Sequence, residues 1–243
     1  MSLNDKKICD TVNILLLYSI IVRKILFKSI DFERNLRLQS RKNQGIGEIE
    51  IFSNWLKDWP DKKITDIGFK TLELIISFNY NHNVLNKKTY LAHVLRVTKM
   101  SLLAKPKLAK ELIILSMIHN IFEATNMSEI ELLNYFDNKT IERVKILKIN
   151  REKQNFNSYL KTYYSAIKDA HISVSIVKII DKIDNIFTLC LNPNLNKKKV
   201  YLKQIEDFVV PLTKIKLPNM QDYLIKLVNN AHITKYVSIE SIS

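Results

Sequence analysis

Glycine and proline are scarce in this chain, three and five among 243 residues. β-Sandwiches and barrels need many residues suited to tight turns, so the shortage favours helices. The two cysteines, Cys9 and Cys190, have no spacing pattern. That argues against a disulfide scaffold and suggests reduced thiols in a cytoplasmic protein. No small-residue cleavage site follows an apolar core, so no signal peptide is expected. The apolar stretch Ile14 to Val22 is too short to span a bilayer. Acidic residues are also few, 24 against 38 lysines and arginines.

The resulting net charge of +14 has two readings. One is a lysine-coated, soluble surface. The other is a partner with several negative charges, such as a polyphosphorylated nucleotide. Nucleic acid is the weaker expectation. Apart from Lys197 to Lys199 the lysines are scattered, with no arginine-rich or aromatic-interleaved stripe. Hydrophobic residues make up 47% and are spread along the chain, which argues against disorder.

Periodicity predicts an all-α protein, a bundle of about ten helices. A first helix is expected over residues 11–27. Asp31 to Gly47 is charged and contains Gly45 and Gly47, the best linker candidate. Residues 1–62 therefore read as a helical extension that packs on the bundle or builds a homo-oligomer contact, and 63–243 as the main domain. Further helices are expected from Ser53 to Trp59, from about Ile64 to Phe78, from Tyr90 to Leu102 and from Glu111 to Ala124. Others follow over 141–149, 156–170, 173–191, 201–215 and 220–231. Ser128 to Glu131 is a capping box.

Three polar groups stand out on otherwise apolar helices. His119 and Asn120 interrupt the greasiest run of the chain, Glu111 to Thr125. A buried polar pair costs free energy unless something satisfies it. His93 shares a face with Tyr90 and Val97, and Glu123 lies one expected helical turn beyond His119. Lys178, Asp181, Asn185 and Thr188 form a polar stripe opposite Ile176, Ile179, Ile180, Ile183 and Phe187. Two readings stay open: satisfied core residues, or two imidazoles, a carboxylate and Asn120 closing on one divalent ion. Such donors suit Mn, Fe, Co, Ni or Zn better than Ca. An ion held there activates water and polarises a phosphoryl oxygen, Glu123 could take the water's proton, and Asn185 and Thr188 could bond a sugar or phosphate.

The segments Y-L-A-H (Tyr90 to His93), I-H-N-I-F-E-A-T (Ile118 to Thr125) and V-K-I-I-D-K-I-D-N-I-F-T-L (Val177 to Leu189) resemble the HD-domain phosphohydrolases. Within them the resemblance is to the alarmone hydrolase domain of the Rel/SpoT proteins and their small stand-alone relatives. Those carry P-Y-x-x-H-P, L-L-H-D-x-x-E-D-T and K-L-A-D-R-x-x-N-x-x-T. The resemblance covers about Ile67 to Ile215. It implies His93, His119 and Asp181 as metal ligands, with Asn120 where the family has its namesake Asp. It implies Glu123 as the first acid of the E-D pair, with Ala124 replacing the second. It also implies Asn185 and Thr188 at nucleotide-contacting positions, and Lys87 or Lys88 near a basic pair that meets the nucleotide. The implied ion is manganese. The implied reaction releases pyrophosphate from the 3′ position of guanosine tetra- or pentaphosphate. Asn120 and Ala124 depart from the pattern, and a neutral amide is a poorer ligand than a carboxylate. The alternative is a catalytically inactive nucleotide- or protein-binding module on the same fold.

Overall fold

The computed structural model describes residues 30–81 and 85–234. The helix expected over 11–27 lies outside them. Among the described residues there is no strand, and the all-helical expectation holds. The helices are α1 (Ile30–Lys42), α2 (Glu48–Lys57), α3 (Lys62–Ser77), α4 (Lys87–Ala104), α5 (Ala109–Ile118) and the short α6 (Ile121–Ala124) and α7 (Glu129–Leu133). They continue with α8 (Asn138–Leu147), α9 (Asn157–Asp169), α10 (Ile172–Thr188), α11 (Leu195–Gln204), α12 (Val210–Lys216) and α13 (Gln221–Ile233).

The centre of the bundle is α10. From Ser173 to Phe187 only Lys182 and Asn185 escape full burial. It touches α1, α4, α5, α8, α9, α12 and α13. A helix enclosed on all sides can place a polar residue only where a partner meets it, because an unpaired buried group costs about 1–3 kcal/mol. The polar positions of α10 are therefore a guide to the site.

Side-chain caps set several helix starts. Asp61 accepts from the backbone N–H of Lys63 and Ile64, Asn86 from Thr89, and Asp137 from Thr140. Ser128 and Glu131 form the reciprocal capping box that their spacing predicts. Gly68 lets α3 approach α5: a Cβ there would stand 2.5 Å from Ile113 Cδ1.

Two expectations are corrected. The stretch from Asp31 to Lys42 is helical rather than a linker. Its acidic first turn (Asp31, Glu33) and basic last turn (Arg41, Lys42) suit the helix dipole. It buries Leu38 together with Arg34 and Arg37, and tertiary packing of that kind outweighs the low apolar content of the segment. The single helix expected from Glu111 to Ala124 is two. The chain turns at His119 and Asn120, where Asn120 adopts φ −113° and ψ 18° and its carbonyl accepts from Glu123 and Ala124. Phe52, Leu56 and Trp59, which precede residue 63, belong to the same buried cluster as α10.

The turn after α1 is fixed against α4. Gly45 has φ +72°, and a Cβ would meet the Lys88 carbonyl oxygen at 2.5 Å. Substituting Gly45→Ala combines a left-handed backbone with a clash against main chain, so urea unfolding should show a loss of about 1–3 kcal/mol. At α8, the Thr140 N–H holds the Asp137 carboxyl below its ordinary value. A carboxyl depressed in the folded state contributes stability that is present above its unfolded value, near pH ~4, and lost as pH falls through the folded value. Asp137→Asn should therefore flatten the acid side of the stability curve, measured by urea melts between about pH 3 and 6.

Candidate metal centre

Three elements bring the ligand candidates together. His93 comes from the middle of α4, His119 from the turn that ends α5, and Asp181 from the middle of α10. One donor atom from each lies within 4.8 Å of the others. The Nε2 atoms of His93 and His119 stand 3.3 Å and 3.6 Å from Asp181 Oδ1. The two rings meet edge to face with centroids 5.4 Å apart.

The hydrogen bonds on the other ring nitrogens decide which way the lone pairs point. His119 Nδ1 lies 2.7 Å from the Ser116 carbonyl, which can only accept, so Nδ1 carries the proton. His119 Nε2 is then an acceptor, buried and without a hydrogen-bond partner. His93 Nδ1 lies 2.8 Å from Asp184 Oδ2. A carboxylate on the far nitrogen is the arrangement that orients metal-ligating histidines and raises their basicity. An orphaned buried imidazole nitrogen, a second imidazole and a carboxylate facing one point fit a divalent ion of the transition series.

Opposing effects act on the titratable groups. Burial alone would lower the His93 pKa, but hydrogen bonds with Asp181 and Asp184 hold it above the ordinary histidine value. Burial would raise Asp181, yet the charge of Lys178 and the nearness of both imidazoles hold it well below the carboxylate range. Asp184 is likewise held low, by Arg96 and Arg37 against its own burial.

His93 and Asp181 line a cavity of about 390 Å³, while His119 is buried and is not part of its lining. Asn120, Glu123, Lys178, Asn185 and Thr188 line it. Asn185 Nδ2 donates to Asp181 Oδ1 at 2.8 Å, and Lys178 Nζ lies 3.6 Å from Asp181 Oδ2. Thr188 Oγ1 donates to the Asn185 carbonyl at 3.3 Å. Glu123 Oε1 accepts weakly from the Ile149 N–H, and its Oε2 is bonded by Arg151. Lys87 and Lys88 sit in the first turn of α4 outside the cavity lining, Lys87 over the Tyr80 ring at 5.7 Å. Ala124 is fully buried.

Sequence reasoning left Arg37, Arg41, Arg96 and Arg151 without a role and did not foresee the partners of Asp184. Asp184 accepts from Arg37 Nε at 2.7 Å and from Arg96 Nε at 3.1 Å as well as meeting His93. Arg96 lies three residues after His93 on one helix face, a spacing that could have flagged it. Arg37 and Arg41 come from a segment read as a linker, and Arg151 comes from a loop, where periodicity says nothing.

No protein-family model matches the chain. A guanosine-3′,5′-bis(diphosphate) 3′-pyrophosphohydrolase of Borreliella burgdorferi is 23% identical over 163 residues, 64% of this chain and 24% of that protein. The chain thus spans about a quarter of that relative's length. The likeness supports a distant relation to a hydrolase of this kind. No helix among the described residues is long and apolar enough to cross a membrane.

Removing the carboxylate under Arg37 tests the hub. Asp184→Ala leaves a buried guanidinium facing a buried imidazole, and losing one partner of a buried ion pair costs about 3–5 kcal/mol. Thermal melts should show this, with Asp184→Asn intermediate. An unchanged melting temperature for Asp184→Ala would contradict it.

Proposed function

We propose that this protein is a metal-dependent phosphohydrolase acting on guanosine 3′,5′-bis(diphosphate) or a closely related nucleotide, with release of pyrophosphate from the 3′ position. The observation that carries the reading is the orphaned His119 Nε2, which lies with His93 Nε2 near Asp181 Oδ1, two of the three groups lining a cation-rich cavity. The distant likeness to a 3′-pyrophosphohydrolase supports the substrate class. His93, His119 and Asp181 hold the ion, with the amide oxygen of Asn120 as a weak fourth donor. Manganese suits imidazole and carboxylate donors together. A divalent ion bound there supplies Lewis acidity toward water and a phosphoryl oxygen.

The chain's own residues do the rest. Asn185 steadies the Asp181 carboxylate by donating to Oδ1. Lys178 and Lys182 place positive charge beside the phosphoryl oxygens, Lys182 from 3.9 Å behind Asp181. Glu123 accepts the proton of the attacking water. It does so after Arg151, which is largely exposed, swings from its carboxylate to the incoming phosphate. Thr188 meets the sugar or a phosphate oxygen at the cavity wall.

A second reading has its own observation. Asn120 is neutral, Ala124 offers no acid, and both oxygens of Glu123 are already engaged. That pattern suits a module that binds the nucleotide without turning it over.

One experiment separates the two. Purified protein is analysed for metal, then incubated with guanosine tetraphosphate and manganese while pyrophosphate is assayed. The enzyme reading expects bound transition metal, turnover, and loss of at least about a hundredfold in His119→Ala, in line with removal of a metal's contribution. Turnover unaffected in that variant would remove the proposed site. Nucleotide binding without metal or turnover would establish the second reading.

A further inference from the structure

The helix that precedes the main domain reaches into the cavity. Arg37, Ser40 and Arg41 of α1 all line it, although α1 lies outside the stretch from Ile67 to Ile215 that carries the sequence resemblance. Arg37 is anchored on Asp184, and Arg41, four residues on, follows on the same face. The turn after α1 is locked by the close approach of Gly45 to the Lys88 backbone and by Asn86, which donates to Gln44 Oε1 at 3.3 Å. The helix end that carries Arg41 is therefore held against α4 by the fold.

The cations of the cavity differ in what they face. Arg37 pairs with Asp184 and Glu33, Arg96 with Asp184 and Glu48, and Arg151 with Glu123. Lys178 and Lys182 pair with Asp181. Among the described residues no carboxylate lies within ion-pair reach of Arg41. It is half-buried, and burial, with the charge of Arg96 adding to it, lowers its pKa. Two guanidiniums placed together repel unless an anion comes between them. Serving the dipole of α1 does not require this cost, because the exposed Lys42 already stands at that helix end.

We propose that Arg41, with Ser40 and Arg96 beside it, forms a second anion subsite that takes a phosphate group remote from the bond being cleaved. Arg96 stands one turn from His93 on α4, about 4.5 Å along the axis, so the subsite adjoins the metal centre. The ligand it fits carries phosphates at two separated positions, which deepens the phosphohydrolase reading and rests on it for the identity of the nucleotide. Arg41 binds directly through a charged fork suited to phosphate.

The test uses the full chain and two independent readouts. The first is calorimetric binding of inorganic pyrophosphate in the presence of a chelator, which needs neither metal nor turnover. Arg41→Gln should weaken binding about tenfold or more, and Arg41→Lys should recover part of it. Binding by Arg41→Gln equal to that of the unsubstituted protein overturns the subsite, whether or not any nucleotide is hydrolysed. The second is steady-state hydrolysis of guanosine tetraphosphate beside guanosine 3′-diphosphate with a free 5′-hydroxyl. The expected result for Arg41→Gln is a raised KM with kcat within about twofold for the first substrate, and no change for the second. An equal change for both overturns the remote position. Weakened pyrophosphate binding with no hydrolysis of either nucleotide by any form upholds the anion subsite and sinks the hydrolase reading instead. Half-buried Arg41 is not part of the core, and matching circular-dichroism melts confirm that each variant folds.

Discussion

The buried carboxylate of Asp184 is the constraint on which the rest of the arrangement depends. It receives guanidinium groups from α1 and α4 and an imidazole N–H from His93. Each partner is costly to bury alone. Together they satisfy one another, and in doing so they tie α1 to the two helices that hold His93 and Asp181. The His93 ring is oriented by this bond, and its remaining nitrogen is thereby turned toward Asp181. Asp184 is buried and Arg37 stacks over the Phe187 ring, so these ion pairs act at short range in surroundings less polar than bulk water.

The cavity balances its charges in a way that suits a phosphorylated ligand. Three acids in its lining are all spoken for by cations or histidines, so the free potential at its mouth is positive. The overall excess of lysine sets the same sign at longer range, and a chain of this charge attracts anions before any specific contact forms. Affinity gained this way weakens with salt, whereas the Asp184 hub, being buried, is little screened.

Much of this was legible in the sequence, for a physical reason. His93, His119 and Asp181 sit on strongly apolar helices, so a polar residue there announces a partner, and the structure brings the three together. Fold class was legible because helical periodicity is long and glycine is rare. Other features depend on tertiary context. The segment from Asp31 to Lys42 has little apolar content of its own and becomes a helix by pairing Arg34 and Arg37 with acids and with Asn230. The break at His119 and Asn120 was invisible because Ile121 and Phe122 continue the apolar pattern. Arg151 reaches Glu123 from a loop, and loops carry no period.

That break has a consequence for how the site and the scaffold can vary. Asn120 contributes its carbonyl to the next helical turn, and the residue lines the cavity. The main-chain bonds that shape the turn would be the same with Asp or Asn there. The architecture therefore places almost no demand on which of the two stands at this position. The bundle and the charge presented to the cavity at this position are therefore separable, and one could change while the other persists intact.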